Sequence, residues 1–134
     1  MHSSFLMKIF LDTADTDIIS KYFSTGLVDG VTTNPTLIMK SGKNPEDVYQ
    51  TIKDIGVRDI SMEVVGSDLE MYDEGLRLYQ KFGDVATIKV PCTREGLIVC
   101  KRLSEQGIKV NVTLIFSAAQ AVLAAKAGAT YVSP

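Results

Sequence analysis

The sequence predicts an α/β fold: a (β/α)8 TIM barrel of which about six βα units are present in 134 residues. Three observations predict it. Short β-rich runs alternate with helical stretches six times, the pattern of parallel strands joined by right-handed crossovers. A polar residue falls at or near the C-terminal end of every candidate strand: Asp12, Asn34, Glu63, Lys89, Thr113 and Ser133. In a barrel those ends converge, and barrel enzymes place their chemistry there. An open doubly wound sheet would more often carry a glycine-rich phosphate turn after its first strand. Asp12-Thr13-Ala14-Asp15 is not one.

The elements follow in order. Strands are expected at Lys8 to Asp12, Val28 to Asn34, Asp59 to Val65, Val85 to Val90, Lys109 to Leu114 and Thr130 to Ser133. Residues two apart on a strand share a face, so Phe10, Thr32, Ser61, Thr87, Asn111 and Tyr131 lie below the polar ends. Leu11, Val64, Ile88, Val90, Val112 and Val132 alternate with them and suit contact with helices. Asn44-Pro45-Glu46-Asp47 reads as an N-cap, a proline at N1 and acids in the first turn. Val48, Ile52 and Ile55 follow at helical spacing before Gly56. Thr93-Arg94-Glu95-Gly96 opens another helix, with Leu97, Cys100 and Leu103 as its buried face and Gly107 as its stop. Ser117 to Ala127 is Ala-rich and closes at Gly128. Residues 1–6 read as a leader or extension, with Met7 as a candidate start, and residues 7–134 as the incomplete barrel, strands one to six.

Composition narrows the function class. Apolar residues are 46% and charged residues 22%, with a net charge of -2. Basic residues are scattered, which argues against a nucleic-acid partner, and the net charge gives no hint of a membrane one. Cys92, Cys100 and the single His2 lack metal-ligand spacing. Two free thiols and a cytoplasmic location are the expectation.

Several blocks together resemble the transaldolase family: Phe10-Leu11-Asp12-Thr13-Ala14, Gly30-Val31-Thr32-Thr33-Asn34-Pro35-Thr36-Leu37 and Ile88-Lys89-Val90-Pro91. Asn111 to Ala121 and Tyr131-Val132-Ser133-Pro134 extend the match. The chain is most similar to short bacterial and phage-type members, themselves similar to fructose-6-phosphate aldolase. The resemblance implies a barrel of class I aldolase type that needs neither metal nor organic cofactor. It also implies transfer of a dihydroxyacetone unit between sugar phosphates in the pentose phosphate pathway.

By that resemblance Lys89 is the Schiff-base lysine. The amine must be neutral to attack a ketone, whereas an ordinary lysine titrates near pH ~10.4. Closing that gap takes about 4 kcal/mol, which desolvation in a barrel interior can supply. The residues alone also fit a strand-end lysine reaching solvent; the motif decides for the nucleophile. Asp12 would take the C4 hydroxyl proton as the C3–C4 bond breaks, although a helix cap is its plainer use and Thr13 is the better cap candidate. Glu63 and Thr113 would hold and activate the water of Schiff-base formation and breakdown. A salt bridge to Lys89 is the alternative for Glu63. Asn34, Asn111 and Ser133 would bind substrate hydroxyls; a turn former is the alternative for Asn34 and a common strand-end residue for Ser133. Thr32 and Thr33 are left open between shell residues and strand formers. Phe116 reads as pocket wall or core.

Glu63 favours transaldolase, since the aldolases typically carry glutamine there. Fructose-6-phosphate aldolase is the alternative among enzymes, and a catalytically silent half-barrel assembly fragment the alternative of another class. A closed barrel needs eight strands and typically about 200 residues. A truncated gene or cloned fragment is therefore expected, ahead of proteolysis or a natural short form. The missing strands are where such barrels often bind phosphate, so weak or absent turnover is expected. Two exposed sheet edges predict a homo-oligomer.

Overall fold

The computed structural model describes residues 7–134, so the leader read at residues 1–6 lies outside the described residues. Six strands alternate with helices along the described residues. They are β1 (Phe10–Asp12), β2 (Gly30–Thr32), β3 (Ile60–Glu63), β4 (Ala86–Pro91), β5 (Lys109–Thr113) and β6 (Tyr131–Val132). The helices are α1 (Thr16–Phe23), α2 (Pro35–Ser41), α3 (Pro45–Ile55), α4 (Asp68–Phe82), α5 (Arg94–Glu105) and α6 (Ala118–Lys126). The α/β barrel class read from the sequence is borne out, with every strand near its expected place and most of them shorter. The chain divides into two compact units, one ending at Ile60 and the other beginning at Ser61.

In the first unit β1 and β2 pair in parallel, with Asp12 opposite Thr32. Helices α1 and α3 pack together over Ile19, Val48 and Ile52, each 1% exposed or less. Burying each such side chain contributes about 1.5–3 kcal/mol. Asn44 caps α3 through the Glu46 amide, Pro45 stands at N1, and Gly56 stops the helix at φ 114°, as the sequence predicts. Ile55 is only half-buried. Gly30 is required for another reason: a Cβ there would meet the Phe10 ring and the Asp59 carbonyl.

In the second unit β4, β5 and β6 pair in parallel. Helices α4 and α5 cover the sheet face formed by Ile88, Val90, Val110 and Val112, all 0% exposed. A capping box between Ser67 and Glu70 starts α4. Thr93 caps α5, as expected, and Gly107 follows its end in the left-handed region at φ 79°. The buried stripe of α5 is Gly96, Val99, Cys100 and Leu103, so Val99 replaces the expected Leu97, which is half-buried. Ser117 caps α6.

Two expectations need correction. The strand expected to stop at Val90 runs on through Pro91, which lies within β4 opposite Thr113, and the Cys92 N–H still donates to the Thr113 carbonyl. A proline removes its own donor, not that of the next residue. Phe116 is 78% exposed and is therefore not core.

Candidate active site

In the second unit, parallel strands bring the polar residues of one sheet face side by side. Lys89 lies opposite Asn111, and Asn111 opposite Tyr131. Lys89 is 8% exposed and Asn111 3%, both far below what is usual for such polar side chains. Ile88 and Val90 turn the other way, which leaves Lys89 on the polar face.

The Lys89 ammonium nitrogen is 3.9 Å from Glu63 Oε1. That is an ion pair at its outer limit and too long for a direct hydrogen bond. Burial pushes the Glu63 carboxyl above its ordinary value, and the charge of Lys89 only partly offsets this. Glu63 therefore holds a proton more readily than a surface glutamate does. Thr113 is buried opposite Pro91.

Asn111 is held at both ends. Its Nδ2 donates to Ser61 Oγ at 3.3 Å, and Ser133 Oγ donates to its Oδ1 at 2.9 Å. Ser133 is positioned by its own N–H, which donates to the Val112 carbonyl, and by its carbonyl, which accepts from Ile115.

In the first unit, Asp12 is exposed at the end of β1, and its Oδ1 accepts from Thr32 Oγ1 at 2.9 Å. Asp12 is thus not a helix cap, and neither is Thr13. Asp15 caps α1 through the Asp17 and Ile18 amides, while Thr13 Oγ1 accepts from the Asp15 N–H. The acid one step closer to the helix reaches two free amides, and Thr13 closes the small turn before it. Asn34 caps α2, accepting from the Leu37 N–H at 2.9 Å with Pro35 at N1. Its carbonyl oxygen is committed there, which leaves the amide NH2 as the group that can donate. Just beyond Asp12 a cavity of about 370 Å3 opens between the start of α1 and the end of α2. Asp15, Asp17, Lys40 and Lys43 line it, two acids and two bases whose charges balance.

The structure thus groups Glu63, Lys89, Asn111 and Ser133 on one unit and places Asp12 and Asn34 on the other. Two hydroxyls join them, Thr32 on Asp12, which sequence reasoning left open, and Ser61 on Asn111, which it did not single out. A signal existed for both, since each stands two residues before a predicted site residue. Cys92 and Cys100 are free thiols, and burial pushes Cys100 up to about 11. Among the described residues no cluster of His, Cys, Asp and Glu could hold a metal ion. No helix there is long and apolar enough to cross a membrane.

The chain is similar to a known family and to known proteins. The family described as Transaldolase/Fructose-6-phosphate aldolase matches residues 9–134. A probable transaldolase of Nitrosopumilus maritimus is 55% identical over 129 residues, covering 96% of this chain and 58% of its own length. One from Anaeromyxobacter dehalogenans is also 55% identical, covering 96% of this chain and 59% of its own. The chain therefore spans somewhat under two-thirds of these relatives. Among solved structures, the carboxyl transferase domain of Rhizobium etli pyruvate carboxylase superposes at a TM-score of 0.61. It is 14% identical over 96% of this chain and 27% of that one, a likeness of fold alone.

Proposed function

The chain belongs to the transaldolase/fructose-6-phosphate aldolase family, and from that premise we propose a transaldolase acting through a Schiff base on Lys89. The observation that carries the reading is the enclosed Lys89 amine 3.9 Å from Glu63, a carboxyl that burial inclines to hold a proton. Nucleophile and proton carrier stand side by side, within the reach of an ion pair.

In the proposed cycle the neutral Lys89 amine attacks the ketose carbonyl at C2, and the carbinolamine loses water to give an iminium. Glu63 and Thr113 hold the water through which those protons move. Asp12 takes the C4 hydroxyl proton; the C3–C4 bond breaks and its electron pair passes into the iminium, leaving an enamine on Lys89. An aldose phosphate departs, another enters, and the steps reverse with Asp12 returning the proton. Asn34, Asn111 and Ser133 bind the hydroxyls of the dihydroxyacetone unit. No metal or organic cofactor is needed. The pathway is the pentose phosphate pathway in the cytoplasm, the substrates are sugar phosphates, and turnover by this chain is weak.

The test is to incubate the chain with fructose 6-phosphate, with and without an aldose phosphate acceptor, and read products by mass spectrometry. The proposal expects slow formation of a new ketose phosphate only when the acceptor is present. Free dihydroxyacetone released at the same rate with or without acceptor would replace it with the aldolase reading.

A further inference from the structure

We propose that Ser61 is a positioning residue that fixes the side-chain amide of Asn111 beside the nucleophile; this deepens the Schiff-base reading of Lys89 and rests on it. A terminal amide torsion has broad, roughly two-fold preferences, so sterics alone leave the oxygen and nitrogen of an asparagine interchangeable. Here hydrogen bonds at both ends restrict the torsion. Ser133 Oγ–H donates to the amide oxygen, and the amide nitrogen donates to Ser61 Oγ. The two hydroxyls grip opposite ends of one amide and so hold its plane in place.

Ser61 is 0% exposed, so water does not replace it when it is removed. An asparagine amide offers two donors and two acceptor lone pairs. With one of each engaged, one N–H and one lone pair remain at the position in register with Lys89. A hydroxyl next to a carbonyl carbon both donates and accepts, which is the chemistry such a pair recognises. Ser61 itself need not touch the substrate; it acts through Asn111.

The experiment measures the rate of borohydride-trapped imine on Lys89 with dihydroxyacetone, in the 134-residue chain and in Ser61→Ala, Asn111→Ala and the double variant. Urea unfolding accompanies each. Ser61→Ala is expected to slow trapping about tenfold, the equivalent of one lost hydrogen bond. It should leave the pH profile of trapping unmoved and add nothing in the Asn111→Ala background. Ser61→Cys, a near-isostere with a weaker acceptor, should fall between and serves if the alanine variant fails to fold. Unchanged trapping in Ser61→Ala, or a further loss in the Asn111→Ala background, overturns the inference. Absence of any adduct in the unsubstituted chain overturns the Schiff-base reading itself, and this inference with it.

Discussion

Gly96 offers the most demanding test of how the fold sets the position of Lys89. It lies in the first turn of α5, and a Cβ built on it would stand 1.8 Å from the Pro91 carbonyl oxygen. Real Cβ contacts essentially never fall below 3.0 Å, so Gly96→Ala requires a retreat of about 1.2 Å. The opposing atom is backbone and cannot rotate away. Overpacking costs about 1–3 kcal/mol, and a rigid partner puts this site at the upper end. Alanine's better helix propensity returns about 1 kcal/mol. The net loss of about 2 kcal/mol should lower the urea midpoint by about 1 M at a slope of roughly 2 kcal/mol per M. Pro91 is two residues from Lys89, and an error of about 1 Å in a reacting group can slow a reaction up to about 10²-fold. Imine trapping should therefore fall more steeply than stability. Glu95→Ala, an exposed change in the same turn, is the control and should stay within about 0.5 kcal/mol. An unchanged or raised midpoint for Gly96→Ala would refute the steric reasoning, and unchanged trapping would refute the link to Lys89.

Three further outcomes are expected. Burial raises the folded-state titration of Glu63, so its contribution to stability is full below the unfolded value and is lost as pH rises through the folded one. Glu63→Gln, neutral throughout, should then be more stable than the parent at pH 7 and converge with it below pH about 4, while trapping slows; lower stability at pH 7 would contradict this. Asn34→Ala should cost about 1 kcal/mol through the lost α2 cap, whereas Asn34→Asp should keep the cap yet weaken sugar binding. Equal sugar binding by Asn34→Asp and the parent would leave Asn34 a cap alone. Light scattering should find the chain self-associated, because Phe116, Val122, Leu123 and Val132 are exposed on the second unit; a monodisperse, protease-resistant monomer would exclude it.

The barrel class and the succession of elements were legible because period-two alternation and capping residues are local signals. Strand ends were not. Asn34 reads as the end of a strand by sequence, but its side chain caps α2, and β2 stops at Thr32. Leu114 turns to φ 64° and closes β5 one residue early. The candidate site residues were read by resemblance and by polar positions at or near the expected strand ends. Their partners were not, because Thr32 on Asp12 and Ser61 on Asn111 are pairings made across strands, at separations of 20 and 50 residues. Thr13 and Asp15 are equally good cap residues by type, and only the backbone path of the turn chooses Asp15.

The central claim is that Lys89 is the nucleophile. Borohydride reduction in the presence of dihydroxyacetone, followed by peptide mass mapping, tests it most directly. One adduct is predicted, carried by Lys89 and abolished by Lys89→Met in a folded chain. No adduct, or an adduct at another lysine that persists in Lys89→Met, would contradict it.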